Sequence, residues 1–584
     1  MTRKRIAIWL GITLIGMGIL IARLAQLQLI ETKSFSKHDI NLLEESAARR
    51  MQEIVIDNGR GNFMDRSGKP LSYETVPVLI LFPFLEKTDW PAEKVAEAIG
   101  ISESELRHTI GKSDKPVVLG GKDPYVLTEK QMEKVNKLEI PGVISMKRKY
   151  TPSPLYAGQL LGLTSSNAQV LKEKYKEKEF PAGTLVGISG LQKSFDEFLL
   201  GEGKSRLVYH VDGRGGPLFG IDVKYSEPAN PFYPVNIVTT IDSRFQRLAE
   251  QQADKHGINK GGVVLLDIET NNILAMVSRP KVNRQSPFAD QGSQNMMLKQ
   301  QIPGSVFKTV VAAAALDKGQ LEGRLFDCSK KINGSPDKKY DHGTLDFNKS
   351  FARSCNRTFA DLAKELQKED PRTLEEYAKK LSLTGTVGWE GGLFHTENFR
   401  QLPDEDKGRV FLSEQAKEDP NYAGLSGIGQ HEVRVTPVSV ANMMAVIARG
   451  GDKQMVRAVT SIQYKNGSKM AGFQSKKLDG GTISPLTAEK LQFLLRQVVT
   501  DELGTGQWFK DLPMTVAGKS GTAETGVYKG KKQLHNKWFA GYFPYENPRY
   551  ALVAVNLGVS EDEGGVNLLF SDLVKGIGKI EKKE

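Results

Sequence analysis

Cysteine is nearly absent from this sequence: Cys328 and Cys355 are the only two in 584 residues. Two are too few for a disulfide framework. One bridge between them stays open, because sequence supplies none of the geometry a disulfide needs. Histidine is scarce too, with eight residues, and no metal-ligand cluster is visible, so neither metal nor cofactor is expected. No repeat and no low-complexity stretch occurs. Zinc-finger, RNA-recognition and helix-turn-helix signatures are lacking, so the formal net charge of +11 points away from nucleic acid and toward an anionic membrane or wall surface.

What is present reads as an ordinary folded chain. Hydrophobic residues make up 39% and charged residues 26%, a globular balance with length for several domain-sized units. A single long apolar run, Ile6 to Ala22, lies behind Arg3, Lys4 and Arg5. It is at the short end of the ~20 residues a bilayer span needs. No small-x-small cleavage pattern follows it, which favours an uncleaved anchor over a signal peptide. The basic residues before the span predict a cytoplasmic N-terminus and an extracytoplasmic remainder.

The pattern of elements divides the chain into 1–29, a cytoplasmic tail and transmembrane anchor; 30–230, a mixed α/β region; and 235–584, a second folded domain. In the middle region strand-like runs (Gln52–Ile56, Val76–Phe82) alternate with helical ones (Ala92–Ile99, Glu103–Ile110). Pro228 to Pro234 reads as a linker. The last region opens with a strand over Val235–Ile241 and a helix over Ser243–Ala253. Two apolar strands then flank an Asn271-Asn272 turn, where asparagine tolerates the positive φ of a hairpin. Further strands are predicted over Met514–Ala517, Trp538–Phe543 and Tyr550–Leu557. Strands at both ends with helices between them predict an α+β domain whose antiparallel sheet joins the two ends and is flanked by helices.

Several short motifs fail on inspection. Gly203-Lys204-Ser205 lacks the first glycine of a phosphate loop, since position 198 is Phe198; His431-Glu432 lacks the second histidine of a zinc protease, since position 435 is Val435. The pattern Ser-x-x-Lys occurs at Ser34, Ser278, Ser305 and Ser335, so the bare pattern decides nothing. Proline lies inside the Ser278 and Ser335 copies, which excludes a helix interior. Ser305 differs: Pro303-Gly304 precedes it and a nearly apolar, alanine-rich run to Leu316 follows. That run predicts a buried helix with Ser305 in its first turn and Lys308 on the same face. Read alone, the pair is equally a capping serine beside a snorkelling lysine. Two further elements follow in order. One is Ser354-Cys355-Asn356, a weak pattern that also starts at Ser165 and Ser293. The other is Lys519-Ser520-Gly521-Thr522, the only Lys-Ser/Thr-Gly in the chain.

Ser-x-x-Lys, Ser-x-Asn and Lys-Ser/Thr-Gly in that order resemble the signature of penicillin-binding proteins and β-lactamases. The likeness to class B penicillin-binding proteins is wider. Arg60-Gly61 with Asp65-Arg66-Ser67-Gly68 resembles the box that opens their pedestal, or dimerisation, domain, and Gly187-Ile188-Ser189-Gly190-Leu191 its later box. Thr239-Thr240-Ile241-Asp242, Ser426-Gly427-Ile428-Gly429-Gln430 and Trp538-Phe539-Ala540-Gly541-Tyr542 resemble landmarks of their transpeptidase domain. Gln192, Asn271 and His431 depart from the family pattern, where Glu, Gly and Gly are usual.

The resemblance implies a transmembrane helix, an elongated mixed α/β pedestal and a penicillin-binding transpeptidase domain. It implies a peptidoglycan D,D-transpeptidase that is acylated at Ser305, with Lys308, Ser354, Asn356 and Lys519 as catalytic residues and Ser520, Gly521 and Thr522 binding the substrate carboxylate. The implied partners are peptidoglycan stem peptides, β-lactams, the cytoplasmic membrane and a membrane glycosyltransferase. Three other functions compete: a D,D-carboxypeptidase or β-lactamase-like hydrolase, a non-catalytic penicillin sensor or scaffold, and a basic nucleic-acid binder on the cytoplasmic side.

Overall fold

The computed structural model describes residues 2–36, 40–121, 123–152, 154–177, 180, 183–212, 218, 223–283, 285–319 and 321–582. The chain forms two compact units that do not follow its linear order. One takes Met1–Gly59, Glu74–Tyr150 and Glu202–Asn230; the other takes Arg60–Tyr73, Thr151–Gly201 and Pro231–Glu584.

The first unit begins with the helix Thr2–Ala25. Its apolar side chains face outward: Trp9 is 69% and Leu20 71% exposed. The segment Arg3–Ile30 is long and apolar enough to cross a membrane, which fits a single-pass membrane protein. Further along, the strand Glu74–Leu81 pairs antiparallel with Val143–Tyr150, and the helices Ala92–Ile99, Glu103–Ile110 and Glu129–Asn136 accompany them. Gly100 in the left-handed region closes the first of these helices, and Ser102 caps the second by accepting from the N–H of Glu105. A second sheet joins Met51–Asp57, Ser205–His210 and Lys224–Ser226. One apolar cluster, with Val78 to Phe82, Leu106 and Tyr209, serves both sheets.

The second unit holds a five-stranded antiparallel sheet. In chain order its strands are β1 (Gly261–Asp267), β2 (Ile273–Arg279), β3 (Ala517–Lys529), β4 (Lys532–Phe543) and β5 (Tyr550–Ser560). The spatial order is β2-β1-β5-β4-β3, so strands from both ends of the domain meet in one sheet. Asn271 takes φ +54 in the turn between β1 and β2. The strand predicted over Met514–Ala517 starts only at Ala517. The preceding residues run as bends and coil, because Leu512-Pro513 denies them a paired ladder.

Both faces of the sheet are covered, which is why its strands read as nearly unbroken apolar runs. Val264, Leu266, Val553 and Val555 face one apolar cluster, while Val263, Leu265, Leu552 and Ala554 face another. The helices Lys308–Asp317, Pro437–Ala448 and Pro485–Thr500 bury side chains in the first cluster; Ser243–Lys255 and Asn567–Glu581 lie in the second. In the same unit the buried Arg60 ties the Arg60-Gly61 box to the later one. Its guanidinium donates to Gln192 Oε1 at 2.8 and 2.6 Å and to Asp196 Oδ1 at 2.7 Å. Asp196 also pairs with Lys174. Gln192, the departure noted in the sequence, therefore meets Arg60 as an uncharged acceptor.

Candidate active site

Three segments converge beside the edge strand β3. Gly304 starts the turn that carries Ser305 and has φ +58. A Cβ on it would come within 2.4 Å of the Thr522 carbonyl oxygen, and one on Gly429 within 2.0 Å of the Gly304 carbonyl oxygen. The turn is thus wedged between β3 and the Gly427–Gln430 segment, with a spacing that only glycine allows. On β3 itself a Cβ at Gly521 would meet the Pro303 carbonyl oxygen at 2.6 Å. Ser305 lies in a 3-10 turn, Gly304–Phe307, that runs directly into the helix Lys308–Asp317. The helix is buried all round from Lys308 to Ala315, as the alanine-rich run predicts.

Lys308 is fully buried. Its Nζ contacts the Ser354 carbonyl oxygen at 2.6 Å, Asn356 Oδ1 at 2.7 Å and Ser354 Oγ at 3.1 Å. Lys519, equally buried, donates to the same Ser354 Oγ at 3.0 Å and to the Ser520 carbonyl oxygen at 3.3 Å. Neither lysine forms an ion pair with a carboxylate among the described residues. Burial, and after it the charge of Lys519, pushes Lys308 well below the ordinary lysine range. Burial alone pulls Lys519 down to about 7. Two buried cations on one hydroxyl are costly, and both burial and the neighbouring charge favour a neutral Lys308. A neutral amine has two N–H groups. The Ser354 carbonyl and the Asn356 amide oxygen can only accept, so they take those two and leave the lone pair able to receive a proton. Ser305 Oγ is not hydrogen-bonded to Lys308 among the described residues; such contacts often close only around substrate.

Ser354 owes its position to a helix end. The helix Phe347–Ala352 stops in a Schellman arrangement, with Ser354 N–H donating to Phe351 O and Cys355 N–H to Ser350 O. Ser354 occupies the left-handed position at φ +61 where glycine is usual, a conformation that costs an L-residue about 1–2 kcal/mol. Asn356 then opens the next helix, Asn356–Glu369.

Cys355 is bonded to Cys328, with Cα atoms 5.9 Å apart. The bridge that the sequence left open therefore holds the middle of the Ser-Cys-Asn turn. It closes a loop of sequence separation 27, for which chain entropy predicts a stabilisation of about 3–4 kcal/mol. Replacing both cysteines by alanine is expected to lower the unfolding free energy by that amount in urea titrations. An unchanged midpoint would show that the bridge contributes nothing.

Ser520 and Thr522 lie on the face of β3 opposite Lys519 and Gly521, as strand alternation requires. Thr522 is exposed, while Ser520 Oγ donates to Thr505 Oγ1 at 2.8 Å. Thr505 in turn donates its N–H to Ala352 O at 3.1 Å, so it joins β3 to the segment leading to Ser354. Sequence reading missed Thr505, and Gly504-Thr505-Gly506 carries no signal beyond a turn. All eight predicted site residues lie in the second unit. Lys308, Ser354, Asn356 and Lys519 share one hydrogen-bond network; Ser305, Ser520, Gly521 and Thr522 border it. The rival Ser278 lies buried on strand β2 and Ser335 in an exposed turn, so neither heads a helix.

A serine turn, a Ser-x-Asn turn and a Lys-Ser-Gly strand meet around two buried lysines on a helix-flanked antiparallel sheet, the arrangement expected of a penicillin-binding serine enzyme. Comparison with known proteins gives the family. The profile of the penicillin binding protein transpeptidase domain matches residues 261–567, and that of the penicillin-binding protein dimerisation domain matches residues 55–232. The chain belongs to the class B penicillin-binding protein family. Among its relatives, the peptidoglycan D,D-transpeptidase FtsI of Escherichia coli K12 is 25% identical, covering 94% of this chain and 87% of that protein. MrdA of Haemophilus influenzae, also called a peptidoglycan D,D-transpeptidase, is 24% identical, with 95% and 88% covered. Stage V sporulation protein D of Bacillus subtilis is 23% identical, with 94% and 80% covered. The fold matches a chain of a solved peptidoglycan synthase complex with a TM-score of 0.65 at 22% identity, covering 99% and 97%.

Proposed function

We propose that this protein is a peptidoglycan D,D-transpeptidase that cross-links stem peptides through an acyl-enzyme on Ser305. The observation that carries the reading is the pair of fully buried lysines meeting at Ser354 Oγ beside the Ser305 turn, in a transpeptidase domain. Ser305 Oγ attacks the penultimate carbonyl of a D-Ala-D-Ala terminus while neutral Lys308 takes its proton. The oxyanion is held by the backbone N–H groups of Ser305 and Thr522, each such donor being worth about 2.7–4 kcal/mol. Lys519, Ser520 and Thr522 bind the terminal carboxylate, and Gly521 lets β3 approach the turn. Asn356 holds the substrate amide. Ser354 passes the proton to the departing nitrogen, so D-alanine leaves with a neutral amine and its carboxylate still charged. An amine from a neighbouring stem peptide then attacks the ester carbonyl, forms the cross-link and returns the proton to Ser305. β-Lactams acylate the same serine as mimics of D-Ala-D-Ala.

Arg3, Lys4 and Arg5 before the span support a cytoplasmic N-terminus and an extracytoplasmic catalytic domain. A membrane glycosyltransferase is the natural partner, since a cross-linker needs freshly polymerised strands; the similar chain in a peptidoglycan synthase complex supports that reading.

The test uses the full chain in detergent with a fluorescent penicillin, and then with a D-Ala-D-Ala peptide plus an amine acceptor. A covalent penicillin adduct and an amide product that grows with amine concentration are expected. Absence of the adduct overturns the assignment, and hydrolysis insensitive to added amine assigns the protein as a carboxypeptidase instead.

A further inference from the structure

A cavity of about 680 Å³ has Asn356 of the candidate site on its wall. The segment at its base is fixed on both sides. Gln301 pairs with Val435 and Gly304 N–H donates to Gly429 O, while Trp538 Nε1 donates to Ile302 O. The wall reached through Val435 carries Gln430, His431 and Arg434; the wall reached through β3 carries Glu524 to Gly526.

The cavity is lined by Lys331, Lys339 and Arg434 and by the carboxylates Asp337, Glu524 and Glu561. Glu561 is paired with Lys339. Asp337 Oδ1 accepts the N–H groups of Lys339 and Tyr340, and Glu524 accepts from the Gln533 amide at 3.3 Å. Among the described residues Arg434 is hydrogen-bonded only to backbone carbonyls. Its Nη1 donates to the carbonyl oxygens of His431 and Val433 at 2.7 and 2.9 Å, and it forms no ion pair among the described residues. A second arginine lies next to it: Arg409 and Arg434 exchange backbone hydrogen bonds, and Arg409 too has no carboxylate partner among the described residues. Burial, and after it the charge of Arg409, press on the Arg434 guanidinium, and the Glu432 carboxylate offsets them in part. With Nη1 held by two carbonyl oxygens and no ion pair among the described residues, the rest of the Arg434 fork is left for an incoming carboxylate.

We infer that Arg434 determines substrate specificity, binding a free carboxylate on the donor peptide N-terminal to the residue that acylates Ser305. The inference rests on the transpeptidase reading, because that reaction places the acyl carbonyl at Ser305 and directs the preceding peptide past Asn356 into the cavity. The guanidinium fork suits a carboxylate and not its carboxamide, which presents one oxygen and two donors in the same space. His431 supports the arm: it sits at φ +60 with its ring 4.4 Å from that of Tyr422, and its carbonyl oxygen is the closest acceptor of Arg434.

The test compares two D-Ala-D-Ala stem peptides that differ only in whether the upstream carboxyl is free or amidated, using the full chain in detergent and following D-alanine release. Wild type is expected to prefer the free acid in kcat/KM by at least about ten-fold, the range of a hydrogen bond to a charged group. Arg434→Gln is expected to bring the ratio near one, and Arg434→Lys, which keeps the charge but not the fork, to an intermediate value. Equal rates for the two peptides in wild type, or an unchanged ratio in Arg434→Gln, would overturn the inference while leaving the transpeptidase reading intact. No D-alanine release from either peptide by wild type would overturn the transpeptidase reading itself.

Discussion

Ser305→Ala is expected to abolish the covalent penicillin adduct, with labelling falling to background and peptide turnover with it, while the urea midpoint stays within about 0.5 kcal/mol of wild type. The loss should be complete because no other atom at this position can form the ester bond. A general base contributes a factor to the rate, but the nucleophile is the site of the bond itself. Stability should hold because Ser305 is only half-buried and its hydroxyl forms no hydrogen bond among the described residues, so removing one oxygen strands no partner. The competing serines are poorly placed to replace it. Ser278 Oγ is occupied by Gln294 O and Met296 N–H, and Ser335 Oγ bonds Asn333 Oδ1 in an exposed turn. Undiminished labelling of the variant, or an adduct mapped outside the Ser305 turn in wild type, would remove Ser305 from its proposed role.

Why this serine was legible among four candidates follows from its surroundings. An apolar helix that opens after Pro-Gly is a strong local pattern, and its burial could be read from alanine, valine and leucine alone. The hairpin at Asn271 and the helices Ala92–Ile99 and Glu103–Ile110 were legible for the same local reason. Chain order hid the rest. The box at Arg60 looks like the opening of the middle region, yet Asn62–Met64 pairs in parallel with Asn236–Thr239, a contact between residues more than 170 positions apart. Thr505 gains its role only because the strand β3 and the Ser354 turn meet around it. The Cys328–Cys355 bridge depends on a spacing of Cα atoms that no local pattern sets. Lys308 was ambiguous in sequence for a physical reason: a lysine at the start of a helix snorkels unless both ends of its side chain are enclosed. The structure encloses it completely.

Lys308→Met is expected to slow acylation by penicillin by about 10²–10⁴-fold, the range for loss of a general base, and to change the pH profile as well as the rate. Methionine matches the buried length and removes a group that is costly to charge there, but it leaves the Ser354 carbonyl and Asn356 Oδ1 without their donor. Each orphaned acceptor costs about 1–3 kcal/mol, so a moderate fall in stability is expected alongside the kinetic effect. The pH dependence separates the two. In wild type kcat/KM should rise with pH as Lys308, held well below the ordinary lysine range by burial and by Lys519, loses its proton and becomes a base. It should fall again as Lys519, at about 7, loses the charge that receives the substrate carboxylate. The two limbs belong to the coupled pair, but only the acid limb needs an amine at position 308. Lys308→Met should therefore keep the alkaline limb and lose the acid one. A merely destabilised variant would instead show the wild-type profile scaled down, and an acid limb that survives the substitution would place the base on another group.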